Sequence, residues 1–278
     1  MNDQPFTLGY DYRSGSPTKY FSGSIAAVSV YYGQFNQSEV SQNYYGGDIV
    51  TNGLTFAIDA SNLVCHESGN TLYDLTGNYT GMSLYGNTSY GSISDGVVNL
   101  SASGNADANG CILRSTETIS TTLNSDFTTT GWLYRTTSNS AELMSYRETW
   151  QRLALEILDN GIYFNQRETV DAGGDGSYNT FQTSVSVTNS RNVWEHFTLS
   201  KSGTQWSFYK NGEHIGTNTF SMTETVSGAG FHIGAAWSDD DYLGRGMNGK
   251  VGPVMHYTRS LSSDEVLQNY NAQKARFI

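Results

Sequence analysis

Apolar and polar residues alternate along most of this chain, as they do in strands that bury one face and expose the other. The alternation is clear in seven stretches separated by residues that favour turns. We therefore predict β-strands at residues 54–58, 126–135, 152–158, 161–165, 181–187, 194–200 and 205–209.

Short sequences between these stretches predict tight reversals of the chain. Asn211-Gly212 joins two strands and favours a type I′ turn, because both residues readily adopt positive φ. Asp159-Asn160-Gly161 marks a second reversal. Residues 172–177 are too rich in glycine for a strand, and we expect a loop there at one end of a sandwich.

One helix is predicted near the C-terminus. Ser262 and Glu265 have the spacing of a capping box, in which each side chain accepts a hydrogen bond from the backbone of the other residue. Val266, Leu267 and Tyr270 follow as an apolar stripe. We expect a helix of about ten residues that packs on a sheet through this stripe.

An internal repeat divides the chain. Residues 21–44 resemble residues 247–270, at an offset of 226, and residues 6–9 resemble residues 231–234, at an offset of 225. Residues 1–46 are therefore predicted to be the last strands and helix of one domain, and residues 47–278 a complete second copy.

Residues 1–46 expose sheet edges and an apolar helix face, so they need a partner to be stable. They could lie against their own sandwich, complete a neighbouring subunit by strand addition, or be the remnant of a tandem array. Our hypothesis is the intermolecular one, because Gly46-Gly47-Asp48 could act as a hinge.

Charge and hydropathy exclude two classes of partner. The 278 residues carry a formal net charge of −11 without a run of Lys or Arg, so we expect no nucleic acid partner. No apolar stretch approaches the roughly 18 residues of a membrane-spanning helix, and residues 1–4 do not start a signal peptide. We expect a soluble protein without membrane insertion.

Cys65 and Cys111 are too few for a disulfide scaffold and do not have the spacing of metal ligands. The favoured interpretation is two small buried apolar residues, with a bridge as the alternative.

Three segments carry a resemblance to a known family. Residues 53–60 and 72–78, with the end of the chain from 247 to 271, resemble the concanavalin A-like, laminin G-like jelly-roll domains of structural and fibre proteins of tailed phages, especially marine ones. The resemblance covers about residues 48–277 and implies an all-β, two-sheet antiparallel sandwich with a short C-terminal helix. It also implies a virion context, whereas activity varies widely on this fold.

The carboxylates of this chain differ in spacing from those of related glycoside hydrolases. Those enzymes hold Glu-x-Asp-x-Glu on one strand, because alternate residues share a face. Here Glu156 and Asp159 are three residues apart and point to opposite faces, while Glu67, Glu142, Glu148 and Glu168 stand singly. We therefore predict a protein that is not an enzyme.

Candidate glycan-binding residues lie in two predicted loops, because sugars stack on aromatic rings while polar groups hold their hydroxyls. One loop holds Arg147, Glu148 and Trp150, and the other holds Trp237 and Tyr242. Burial under a neighbouring loop or in a subunit contact is the alternative role for each loop tryptophan, and we assign Trp132, Trp194 and Trp206 to the core.

Calcium is the one candidate cofactor. Asp239, Asp240 and Asp241 could offer oxygen ligands, but three adjacent carboxylates are also typical of a solvated acidic turn, and we expect no cofactor. The matching segment of the first copy, residues 10–14, is expected to be a loop with one carboxylate.

The sequence thus predicts a structural protein of a phage virion surface, as a head decoration, fibre or appendage component. Its partners would be other copies of itself, other virion proteins and host surface glycans bound weakly and multivalently. A lectin-like adhesin for host recognition, secreted or on a bacterial cell surface, is the alternative, and a glycoside hydrolase is the third interpretation.

Overall fold

The structure is a computed structural model that describes residues 10–13, 16–20, 49–102, 110–118, 125–138, 140–148, 151–169, 178–221, 230–234 and 246–278. The chain divides into two compact units, Met1–Asn36 and Gln37–Ile278.

The described part of the first unit is a hairpin of β1 (Tyr10–Arg13) and β2 (Ser16–Tyr20). The strands pair antiparallel with Tyr10 opposite Tyr20. Residues 10–14 were expected to be a loop, and this expectation is wrong for β1, because its backbone pairs with β2. The rest of residues 1–46, predicted to be the last strands and helix of one domain, lies outside the described residues.

The second unit is built from antiparallel strands and one helix. Its described strands are β3 (Leu54–Ile58), β4 (Thr71–Leu72), β5 (Met82–Gly86), β6 (Gly91–Ser94), β7 (Val97–Leu100), β8 (Cys111–Thr118), β9 (Phe127–Arg135), β10 (Ala141–Glu148), β11 (Gln151–Leu158), β12 (Gly161–Thr169), β13 (Tyr178–Ser186), β14 (Trp194–Ser202), β15 (Gln205–Lys210), β16 (Glu213–Thr219), β17 (Gly230–Ile233) and β18 (Gly249–Tyr257). A short 3₁₀ helix spans Thr88–Tyr90, and α1 spans Ser263–Lys274.

These strands form two sheets. The front sheet has the order β13-β12-β11-β10-β17-β8-β5-β4, and the back sheet has the order β16-β15-β14-β9-β18-β7-β6, with β3 also paired to β18. The described strand pairs are antiparallel throughout. The predicted all-β jelly-roll sandwich with a C-terminal helix is confirmed.

Large aromatic side chains fill the space between the sheets. Phe127 of the back sheet packs edge-on against Trp206, with ring centres 5.8 Å apart, and Trp206 lies 4.5 Å from Phe164 of the front sheet. Phe56 contacts Phe231 at 5.5 Å. Because each of these side chains is at most 2% exposed, burial of apolar area holds the two sheets together.

The helix α1 covers the opposite face of the back sheet. Trp132 is fully buried there, 5.5 Å from the Tyr270 ring and 4.6 Å from the Phe277 ring. Its indole N–H donates to Gln273 Oε1 at 2.9 Å. Trp132 and Trp206 are thus buried as predicted, whereas Trp194 is half-buried against Phe277.

The predicted capping box is present, since Glu265 N–H donates to Ser262 Oγ and Ser262 N–H donates to Glu265 Oε2. The predicted apolar stripe is partly wrong, because Leu267 is 42% exposed. The buried face of α1 instead includes the polar residues Asn269 and Gln273, whose hydrogen bonds to the sandwich make their burial possible.

Several local predictions are confirmed by the backbone. All seven predicted strands exist, with ends shifted by a few residues. Asn211 and Gly212 have φ of 52° and 79°, as a type I′ turn requires. Leu158 pairs with Gly161, so Asp159-Asn160 is a tight reversal, while residues 172–177 lie outside the described residues.

Cys65 and Cys111 are both free and fully buried in the core, as small apolar residues would be. Among the described residues, the structure contains no helix with the length and hydropathy needed to cross a bilayer.

Candidate functional site

The outer face of the front sheet carries a row of polar residues. Phe231 and Ile233 face the core, so His232 between them faces outward. Strand register places outward residues side by side across five strands, in the order Thr71, Ser83, Arg114, His232 and Ser145. This row runs from the edge strand β4 to the middle of the sheet.

The middle of this face is closed to solvent and its edge is open. His232 and Ser145 are 3% and 2% exposed, whereas Tyr85, which follows Ser83 by two residues on β5, is 40% exposed. A ligand therefore has access to the outer face at β4 and β5 rather than at β10 and β17.

Tyr85 is held by a cation–π contact. The guanidinium carbon of Arg114 lies 4.6 Å from the centre of the Tyr85 ring. An arginine against one face of an aromatic ring fixes the plane of that ring. The ring thus offers a rigid, partly exposed apolar surface beside a positive charge.

Tyr73 supplies a second exposed ring at the other end of the same edge. Thr71 pairs with Ser83, and their hydroxyls lie 2.9 Å apart. Tyr73 follows Thr71 by two residues and is 53% exposed. Because β4 and β5 are antiparallel, the chain leaves this hydroxyl pair in opposite directions toward Tyr73 and Tyr85.

The loop after Tyr73 is fixed by one carboxylate. Asp74 is 8% exposed and accepts hydrogen bonds from the backbone N–H groups of Ala57, Thr76, Asn78 and Tyr79 at 2.9–3.1 Å. Gly81 closes the loop with φ of 121°, and a Cβ there would lie 2.0 Å from Leu72 O. The position of Tyr73 is therefore set by the body of the domain.

We define the tyrosine platform as Thr71, Tyr73, Ser83, Tyr85 and Arg114. Its two aromatic rings can stack on the apolar faces of sugar rings, and its two hydroxyls and one guanidinium can bind sugar hydroxyls or a carboxylate. Two separate exposed rings suit an oligosaccharide rather than a single sugar. The sequence prediction missed this platform, although tyrosines that directly follow buried Leu72 and Leu84 are a signal that could have found it.

Two carboxylates are brought together farther along the same face. Glu142 stands directly opposite Glu156 in the β10–β11 pair, although the sequence separates them by 14 positions. Asn165 Nδ2 donates to Glu156 Oε2 at 2.5 Å, and Glu142 is fully buried. A substrate has no access to Glu142 in this arrangement, so the pair does not form an open hydrolytic site.

The structure describes few of the predicted site residues. Arg147 and Glu148 lie at the end of β10, opposite Arg152 and Gln151, and only their backbones are described. Trp150, Trp237, Tyr242 and the proposed calcium ligands Asp239, Asp240 and Asp241 lie outside the described residues.

The predicted loops that contain Trp150 and Trp237 follow strand ends that are far apart. Glu148 pairs with Gln151 at one end of β10, whereas Gly234, the last described residue before the Trp237 loop, donates its N–H to Glu142 O at the other end. Arg147 follows Glu142 by five positions along the strand, or about 17 Å. The two loops therefore leave the sheet at opposite ends.

No group of three or more His, Cys, Asp or Glu side chains that could hold a metal ion occurs in the part of the chain that the structure describes.

The two packed antiparallel sheets and the helix across one of them define a jelly-roll sandwich with an open platform at one sheet edge. The chain belongs to the concanavalin A-like lectin/glucanases superfamily, whose family model matches residues 105–267, more than half of the chain.

Solved structures share this fold at low sequence identity. Domain 4 of AbnA, an extracellular arabinanase from Geobacillus stearothermophilus in complex with arabinotriose, is 16% identical over 78% of this chain and 98% of that domain, with a TM-score of 0.51. Botulinum neurotoxin type C, whose cell entry depends on interaction with two ganglioside molecules, is 15% identical over 80% of this chain, with a TM-score of 0.56. The binding domain of Paraclostridial Mosquitocidal Protein 1 is 17% identical over 79% of this chain, with a TM-score of 0.52.

The chain spans about half the length of the two toxin chains, 51% and 52%, respectively. No curated protein sequence matches this chain.

Proposed function

We propose that this protein is a carbohydrate-binding domain that holds an oligosaccharide on the tyrosine platform. The observation that carries the proposal is the exposed Tyr85 ring held against Arg114, with Tyr73 exposed farther along the same sheet edge. Domain 4 of AbnA supports it, because a domain of this fold and nearly this extent is in complex with arabinotriose.

Binding at one platform is expected to be weak. Both rings of the platform are exposed, and stacking on an exposed ring contributes on the order of 1 kcal/mol. Useful affinity therefore requires several copies of the domain on one particle or cell, or several repeats of the sugar on one glycan.

The test is a glycan array that includes arabino-oligosaccharides and sialylated glycans, probed with the multivalently displayed protein. We expect at least one glycan class to bind the unmodified chain and its titrated affinity to fall at least tenfold in Tyr85→Ala and Tyr73→Ala. Tyr163→Ala is the matched control, because Tyr163 lies on the same face of the same sheet at β12, away from the platform. Absence of binding to every glycan, or equal losses in Tyr85→Ala and Tyr163→Ala, would overturn the proposal.

The two loops named from the sequence are proposed as additional contacts. Arg147, Glu148 and Trp150 would act at one end of β10, and Trp237 and Tyr242 at the other, with Asp239, Asp240 and Asp241 available to calcium. Because the loops leave the sheet at opposite ends, Trp150→Ala and Trp237→Ala should change glycan binding independently. A calcium titration by calorimetry, compared with Asp240→Asn, tests the metal site.

A role on a phage virion surface is the second candidate function. The internal repeat favours it, because arrays of similar domains suit fibres and decorations. Detection of the protein in purified particles by mass spectrometry would support a virion location. Its recovery only from culture medium or the cell surface would favour the adhesin.

A further inference from the structure

Residues 231–270 complete both sheets of the sandwich, and we call them the closing segment. They contribute β17, which lies between β10 and β8, and β18, which lies between β9 and β7 and also pairs with β3. They also contribute most of α1. Without this segment each sheet would lose an inner strand.

The fit of the closing segment depends on two glycines. Gly234 has φ of 105°, and a Cβ there would lie 2.4 Å from Leu100 Cδ1. A Cβ on Gly249 would lie 1.9 Å from Tyr134 O, closer than any side chain permits. The repeat at the start of the chain has glycine at both equivalent positions, Gly9 and Gly23.

A buried polar pair in the closing segment binds the backbone of Val50. The Tyr257 hydroxyl donates to Val50 O at 2.9 Å, and Val50 N–H donates to Asn269 Oδ1 at 2.8 Å. Asn269 Nδ2 donates to the Tyr257 hydroxyl at 3.0 Å. The repeat retains both side chains, as Tyr31 and Asn43. When buried, this pair needs a backbone N–H and carbonyl like those of Val50 as hydrogen-bond partners.

The apolar positions of the closing segment are also retained. Val251, Val254, Leu261 and Val266 are each at most 2% exposed. Their equivalents are Ile25, Val28, Phe35 and Val40.

We propose that residues 6–46 are a second closing segment, able to take the place of residues 231–270 in another copy of this chain. Each sandwich has one position for a closing segment, and its own C-terminal segment already occupies that position. The N-terminal segment therefore closes another copy only when that copy's own segment is displaced, and copies then link end to end.

The C-terminal segment of each copy is favoured at this position over the N-terminal segment of another copy. It is attached to its place, which gives it a high effective concentration. It also has a contact that the repeat lacks: Arg259 pairs with Glu265, whereas the repeat has Gly33 at the position of Arg259. Exchange should therefore follow a weakening of the C-terminal segment.

The test weakens one segment at a time in the full chain. Gly249→Val places side-chain atoms against Tyr134 O, so we expect the C-terminal segment to leave its place and the chain to fold only as assemblies of two or more copies. Gly23→Val with Gly249→Val disables both segments and should give a chain without a cooperative thermal transition. Gly23→Val alone is the control, with an intact C-terminal segment and unchanged folding.

Light scattering after size exclusion gives the mass, and circular dichroism gives the folded fraction. A Gly249→Val chain with a larger native mass and a cooperative transition that the double variant loses would support the proposal. A monomeric Gly249→Val chain, or a double variant that folds as well or as poorly as Gly249→Val, would overturn it.

Discussion

Arg114 lies against the ring of Tyr85, with 4.6 Å between the guanidinium carbon and the ring centre, at the open edge of the front sheet. The contact joins neighbouring strands, since β5 and β8 pair with each other. Arginine in this position orients the aromatic ring and places a positive charge beside it.

The first prediction concerns this arginine. Arg114→Gln removes the charge and the cation–π contact but keeps a long polar side chain, so we expect glycan affinity to fall about three- to tenfold while folding is retained. Titration calorimetry with the best glycan from the array measures the change. Lys250→Gln is a suitable control, because Lys250 makes a similar contact with Tyr134 on the other sheet. An Arg114→Gln affinity equal to that of the control would contradict the role given to Arg114.

The second prediction concerns Asp74, whose carboxylate accepts hydrogen bonds from four backbone N–H groups. Asp74→Ala leaves buried donors without their acceptor, and we expect a loss of about 3 kcal/mol in the free energy of unfolding. Urea denaturation measures it.

The control for this experiment is Asp95→Ala. Asp95 is exposed in the turn between β6 and β7, and its φ of 53° costs an alanine about 1 kcal/mol, which is less than the loss expected at Asp74. Equal losses for the two variants would show that the hydrogen bonds of Asp74 contribute little to stability.

The third prediction concerns acid sensitivity. Burial lowers the pKa of His256 from 6.5 to about 4 and the pKa of His196 to about 3, because a charged imidazole would lose its hydration. The unfolded chain binds protons at these histidines below pH 6.5, whereas the folded chain does not. The free energy of unfolding is therefore not reduced by these histidines above pH 6.5, and it falls as the pH drops toward 4.

His256→Gln tests this directly. The variant loses the hydrogen bond between Thr129 Oγ1 and His256 Nδ1, so it should be less stable at pH 7. Its further loss between pH 7 and pH 4.5 should be smaller than that of the unmodified chain by about 2 kcal/mol. His214→Gln, at an exposed position, is the matched control. An unchanged pH dependence in His256→Gln would refute the assignment.

Sequence alone predicts the strands well because each carries its own alternation, as in residues 205–209, and because Asn211-Gly212 encodes its turn locally. It fails for the buried face of α1, since Asn269 and Gln273 are buried only because Val50 and Trp132 meet them from distant parts of the chain. Hydrophobic periodicity cannot anticipate such a partner.

The candidate site was harder to predict than the fold for the same reason. Thr71 and Ser83 meet only through the register of β4 and β5, and Glu142 meets Glu156 only through the register of β10 and β11. Residue spacing along the chain does not contain this information. Only their residue type indicates Trp150 and Trp237 as glycan-binding residues, and their role in binding stays a prediction.

The bonds from Tyr257 and Asn269 to Val50 have a mechanical consequence. They tie the start of the described body to its final helix, and Arg276 adds an ion pair with Asp59 at 2.6 Å. A force that pulls the two ends of this body apart loads these contacts first. The backbone hydrogen bonds between the strands of either sheet bear the load only after these contacts have broken. Under tension the domain would therefore release its helix and lengthen while the tyrosine platform, on the opposite sheet, keeps its shape.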